Sequence, residues 1–124
     1  MQIDQRKWGV VAGLSGFMAI VMGAVGAHAV ADAHVAALVE TASLYELIHA
    51  VAILWLCGAR GRYVPAARWL FLIGTVLFCG TLYLKAIAGW DTVVRLAPFG
   101  GVSFMLGWLV IALEHRSSKG STER

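Results

Sequence analysis

The chain is 124 residues long, one domain by length, with 60% apolar and 14% charged side chains, a formal net charge of +3 and a mean hydropathy of +0.77. A soluble domain carries about 25% charged and about 45–50% apolar residues because much of its area faces water, so this composition excludes a water-facing fold and makes lipid the solvent. The ten Lys and Arg residues sit beside apolar runs and form no basic stripe interleaved with aromatics, which excludes nucleic acid as a partner.

The expected fold is all-α: an integral membrane bundle of four transmembrane helices with both termini cytoplasmic. Its first span runs over 8–31, a stretch free of Asp, Glu, Lys and Arg. A helix rising about 1.5 Å per residue needs only about 20 such residues to cross about 30 Å of hydrocarbon. Arg6-Lys7 and the small residues Ala29-Val30-Ala31 also suggest a secretory signal. That reading fails on length, since a signal's apolar stretch runs about 7 to 15 residues. The second span covers about 36–59 and is apolar except for Glu40, Thr41, Ser43, Glu46 and His49. After Arg60-Gly61-Arg62, Pro65 suits the first turn of a third span over about 65–88, because that turn leaves its N–H groups unpaired and proline has none. The fourth covers about 96–113, so that 1–116 forms one transmembrane domain and 117–124 a polar cytoplasmic tail.

Orientation follows from the loops. Arg6, Lys7, Arg60, Arg62, Arg68, Arg116, Lys119 and Arg124 fall on one side of this layout, against Lys85 and Arg95 on the other. The excess of cations marks the cytoplasmic side. Lipid offers no hydrophobic drive between helices, so small residues must let backbones approach. Gly9, Gly13, Gly16, Gly23 and Ala27 supply such a stripe in the first span, Gly74 and Gly80 in the third, and Gly100, Ser103 and Gly107 in the fourth. They serve one bundle or a seam between copies. Pro98-Phe99-Gly100-Gly101 lies at the start of the fourth span, where paired glycines predict a bent or unwound helix start.

Ionisable groups at membrane depth are costly and so are candidates for function. Glu46 and His49 stand three residues apart on one helical face, with Tyr45 a turn before His49. By helical rise Glu46 lies about 10 to 15 Å from the outer end and His49 slightly deeper. His28, closing the first span, is expected to approach their level. If Glu46 and His49 meet, they form a proton-sharing pair at a site opening outward; otherwise each is a hydrogen bond fixing bundle geometry. Lys85 has the reach to pair with Glu46. His28, His34, His49, Asp32, Glu40 and Glu46 share the outer half but match no metal-ligand spacing, and only His49 is placed for haem, so no metal or cofactor is assigned. Cys57 and Cys79 have no CxxC spacing and read as small buried apolar residues. With no GxSxG, HExxH or Walker loop, no catalytic residue is assigned and an enzyme is not expected.

Several stretches carry a family pattern: Gly23-Ala24-Val25-Gly26-Ala27-His28 in the first span, Tyr45 with His49-Ala50 in the second, Gly74 through Tyr83 in the third, and Ala97-Pro98-Phe99-Gly100-Gly101 with Gly107-Trp108 in the fourth. In these the chain resembles the small bacterial inner-membrane family called domain of unknown function 423. The resemblance implies four helices in the bacterial cytoplasmic membrane and no resolved activity, and it directs attention to His28, Tyr45, His49, Tyr83 and the turn at Pro98, Gly100 and Gly101. Glu46 and Lys85 depart from the family pattern, which fits a private ion pair between them. The leading expectation is a non-enzymatic accessory or membrane-stabilising component, with the lipid bilayer and a homo-oligomer or larger membrane complex as partners. The alternative is a small oligomeric transporter or channel with a proton- or ligand-binding site around Glu46 and His49, its small-molecule ligand unknown.

Overall fold

The computed structural model describes residues 2–122, with side chains described for 4–117. The side chains of Lys119 and Arg124, counted above for orientation, lie outside that range. Helix α1 (Gln2–His28) is followed by α2 (Ala33–Gly58). Asp32 caps α2: its carboxylate accepts from the N–H of His34 at 2.9 Å and of Val35 at 3.0 Å, satisfying two donors that a helix start leaves unpaired. The same two N–H groups, Val35's first, hold the Asp32 carboxyl below its ordinary value.

The third span is one rod of three pieces: α3 (Val64–Gly74), a π-helical segment (Thr75–Gly80) and α4 (Thr81–Ala88). Gly89 ends it in the left-handed region at φ 69°, its N–H on the Lys85 carbonyl at 3.0 Å, a conformation that a side chain would strain. A 3₁₀ turn (Thr92–Leu96) then leads into α5 (Ala97–Thr122). Four stretches are long and apolar enough to cross a membrane: Asp4–His28, Ala33–Gly58, Val64–Ala88 and Thr92–Ser117. Their outward faces are hydrocarbon-like, with Phe17 68%, Ile87 71% and Leu109 61% exposed, as lipid contact requires.

One expectation is corrected here. The Pro98 to Gly101 stretch is not unwound, because α5 is helical from Ala97 onward and the π-helical backbone lies in the third span instead. α5 continues without a break through residues 117–122 to Thr122.

α1 packs chiefly on α2, α5 chiefly on α3 and the π-helical segment, and α2 joins the two pairs. Close approach is concentrated where glycine permits it. A Cβ on Gly100 would run into the backbone of Leu77 and Phe78, and one on Gly74 or Gly107 into the rings of Phe104 or Phe71. Along α1 the small-residue stripe divides: Gly16 and Gly23 lie against Ala50 and Ser43, whereas Gly9 and Gly13 have nothing within 4 Å.

Candidate functional site

Glu46 sits thirteen residues into the 26-residue α2, about 20 Å from its start and at the helix midpoint. That is deeper than the sequence count suggested, because α2 begins three residues earlier than expected and the helix is longer. The side chain is 5% exposed. Its Oε1 accepts from the Tyr83 hydroxyl at 2.8 Å, and its Oε2 from the Ser15 hydroxyl at 3.1 Å. One carboxylate thereby joins α1, α2 and α4. The expected Glu46–Lys85 pair is not formed: Lys85 Nζ lies 3.6 Å from Asp91 Oδ1, and this is the one ion pair among the described residues. The reason is depth, since Lys85 stands in the last turn of α4 and its ammonium turns toward the end of the bundle, where water solvates it. Glu46 lines a groove of about 420 Å³ between α1 and the third span, walled by Met18, Met22, Val76, Tyr83, Leu84 and Ile87.

His49 belongs to a separate cluster. Its ring stacks on Phe104 with centroids 3.7 Å apart and meets the edge of Phe71 at 5.1 Å. Trp108 Nε1 donates to His49 Nε2 at 3.1 Å, and His49 Nδ1 faces the Tyr45 carbonyl at 2.6 Å. An indole N–H only donates and a carbonyl only accepts, so these partners put the hydrogen on Nδ1 and leave Nε2 as the acceptor. Both nitrogens are committed. The proton-sharing pair expected between Glu46 and His49 is therefore absent: Glu46 points to Ser15 and Tyr83, while His49 points to α5.

Two other polar groups in the interior tie spans together. Cys79 Sγ donates to the Ala42 carbonyl at 3.2 Å and Ser103 Oγ to the Leu70 carbonyl at 2.6 Å. Burial is thus met by hydrogen bonding between helices, which a lipid solvent cannot supply.

Of the other residues singled out from sequence, Tyr83 lies on Glu46, and Tyr45 is 43% exposed beside Phe78 and Phe104. Pro98 and Gly101 line a groove of about 340 Å³ with Tyr45, His49 and Trp108, and Gly100 serves helix contact. His28 is exposed at the end of α1 and does not reach Glu46. Among the described residues no group of three His, Cys, Asp or Glu side chains is arranged to hold a metal. Sequence reasoning missed Ser15, although a signal existed. It is the one hydroxyl in the first span and lies thirteen residues before His28, as far from the hairpin as Glu46 lies after Ala33.

The sequence matches the family described as "Protein of unknown function (DUF423)" over residues 22–101. The chain belongs to the DUF423 family. DUF423 relatives match along almost their whole length. A UPF0382 membrane protein of Haemophilus influenzae is 31% identical over 123 residues, covering 93% of this chain and 98% of that one. A UPF0382 membrane protein of Staphylococcus epidermidis is 32% identical over 110 residues, covering 84% and 90%. The UPF0382 inner membrane protein YgdD of Escherichia coli K12 is 33% identical over 111 residues, covering 82% and 83%. No solved structure matches this DUF423 chain. The DUF423 match spans Glu46, His49, Cys79 and Tyr83 but not Ser15 or Trp108.

Proposed function

We propose that this DUF423 protein is a non-enzymatic accessory or membrane-stabilising component of the bacterial inner membrane, threaded with both termini in the cytoplasm. The observation that carries this is the commitment of the buried polar groups to bonds between spans: Ser15 and Tyr83 on Glu46, Trp108 on His49, Cys79 on Ala42 and Ser103 on Leu70. The two hydroxyls that face a carboxylate, those of Ser15 and Tyr83, join α1 and α4 to α2 through it, which is a structural use of all three groups. The inner-membrane placement draws on the printed name of the YgdD relative. The threading draws on the distribution of Lys and Arg. Reporters fused to either terminus are expected to report the cytoplasm.

The test of the role is genetic and physical. Cells lacking the protein, challenged with detergent or osmotic downshift, should admit more of an impermeant dye. Both wild type and Glu46→Gln should restore the barrier, since glutamine still accepts from Tyr83. Dye entry indifferent to the deletion overturns the reading.

A second reading, a small transporter or channel, has one observation in its favour. Glu46 has no cation partner among the described residues and lines a groove whose other walls are largely apolar. In that case the site is Glu46 with Ser15 and Tyr83, without His49. Adding tetraphenylphosphonium to the purified protein should then release a proton, and Glu46→Gln should abolish the release. Absence of release in the wild type removes this reading.

A further inference from the structure

At the end of the bundle that carries both termini, the first turns of α1, the loop 59–63 and the start of α3 enclose a notch of about 420 Å³ lined by Asp4, Gln5, Cys57, Arg60, Pro65 and Arg68, among others. Arg68 stands four residues into α3, about 6 Å from its first residue, which is the depth of the lipid phosphate layer for a helix that begins at the membrane surface. Its guanidinium carbon lies 5.4 Å over the Trp8 ring, and Trp8 in turn meets Trp69 edge to face at 5.1 Å. The Trp8 ring thus covers one face of the guanidinium. Arg68 Nε is the single buried side-chain nitrogen or oxygen among the described residues without a hydrogen-bond partner. A buried donor left unpaired is costly, and nearly all such atoms in folded proteins are satisfied by something.

The acids nearby do not satisfy it. Asp4 lines the same notch but forms no ion pair with Arg68, and Glu114 is engaged with the N–H of Tyr63 at 2.6 Å. Around the notch the described side chains at this end are Arg6, Lys7, Arg60, Arg62, Arg68 and Arg116 against Asp4 and Glu114. The opposite end carries Lys85 and Arg95 against Asp32, Glu40 and Asp91. The field at the notch therefore favours an anion, and a planar guanidinium fork matches phosphate oxygens two at a time. The notch also borders lipid-facing surface, with Trp69 57% exposed beside it.

We infer that Arg68, assisted by Arg60, holds the phosphate of an anionic phospholipid in this notch, with the acyl chains lying along the outer face of α3. The inference does not depend on either functional reading above. A lipid and a free phosphate ion share the chemistry, and the position at the membrane boundary selects the lipid.

The experiment is equilibrium unfolding of the full-length protein in mild detergent, with added phosphatidylglycerol, phosphatidylcholine or inorganic phosphate. At phosphatidylglycerol about 100-fold above its dissociation constant, the ratio of folded to unfolded wild type should rise about 100-fold, because a ligand that binds the folded state alone shifts the equilibrium by mass action. Phosphatidylcholine and millimolar phosphate should give little of this. Arg68→Gln should lose the phosphatidylglycerol effect, Arg68→Lys should keep part of it as a point charge without the fork, and Arg116→Gln, outside the notch, should keep it. Arg68→Lys also serves where Arg68→Gln does not fold. Equal protection by phosphatidylcholine or by inorganic phosphate overturns the proposal. So does a phosphatidylglycerol effect that survives in Arg68→Gln or disappears equally in Arg116→Gln.

Discussion

Gly100 and Gly101 are neighbours on α5, yet alanine should affect them in opposite directions. A Cβ on Gly100 would lie 2.8 Å from Phe78 Cβ and 2.9 Å from the Leu77 carbonyl carbon, and closer still to the Phe78 nitrogen, whereas one on Gly101 meets nothing within 4 Å. The atoms met at Gly100 are mostly backbone of the π-helical segment, so no rotamer change relieves the clash and the two helices must part. Overpacking of this kind costs about 1–3 kcal/mol. Alanine returns up to about 1 kcal/mol of helix propensity at either position. Gly100→Ala is thus expected to destabilise by about 1–2 kcal/mol and Gly101→Ala to be neutral or stabilising by up to about 1 kcal/mol. The pair should then differ by about 1–3 kcal/mol, or about 5- to 150-fold in the unfolding constant. Reversible unfolding in bicelles measures both variants against wild type. Equal effects at the two glycines would refute the argument that α5 seats on the third span through Gly100.

Other expectations follow from the same geometry. Tyr83→Phe removes one of the two donors to Glu46 and should cost about 0.6–1.7 kcal/mol, the range of interhelical hydrogen bonds in membranes. In an Glu46→Gln background the loss should shrink, and an unchanged loss would mean the two groups do not interact. Trp108→Phe should cost a similar amount and move the His49 imidazole resonances, since Nε2 loses its donor; unmoved resonances would contradict the bond. Lys85→Ala should change stability by less than about 0.5 kcal/mol, because its partner Asp91 is 83% exposed and water screens the pair. Reversing the charges of Glu46 and Lys85 together should give no rescue over the single reversals. The Asp32 carboxyl is held below its ordinary value of 3.8, so its capping contribution is complete above that pH and is lost as pH falls further. Protection of the His34 and Val35 amides, taken relative to their intrinsic exchange rates at each pH, should therefore be present at neutral pH and fall below about pH 4, and Asp32→Ala should lack it throughout.

The spans were legible because a charge-free run long enough for hydrocarbon has few alternatives, and the residue ends were less so. The first helix stops at His28 and not Ala31, since Asp32 can satisfy the start of α2 only if the chain leaves α1 before it. The partners of Glu46 and His49 were harder. Spacing of three residues put both on one broad face, but that face touches two different neighbours, and which neighbour each meets depends on helix packing that no periodicity encodes. The reading of Lys85 erred by treating reach as sufficient; a lysine near a helix end has water close by and little reason to enter the interior. Trp108 carried a family pattern, but nothing in its position announced that its N–H would fix the tautomer of His49.

The π-helical segment explains how the third span delivers Tyr83 to Glu46. Ala67, Phe71, Thr75, Cys79 and Tyr83 are all buried, at 1%, 0%, 8%, 0% and 8% exposure, in an unbroken series of fours. In an α-helix each step of four residues overshoots a full turn by about 40°, so Tyr83 would stand about 160° away from Ala67, facing lipid with its hydroxyl unpaired. A wider turn, closed by bonds to the fifth residue, removes much of that drift and keeps the series facing inward. Loosening the backbone at membrane depth would leave carbonyls exposed to hydrocarbon, and side chains take up the need: Thr75 Oγ donates to the Phe71 carbonyl at 2.8 Å and Thr81 Oγ to the Leu77 carbonyl at 2.6 Å. Gly100 then lets α5 lie directly on the widened turn. The irregularity, the threonines that satisfy it and the glycine that covers it form one device, and its product is a phenol held 2.8 Å from a carboxylate at the centre of the neighbouring helix.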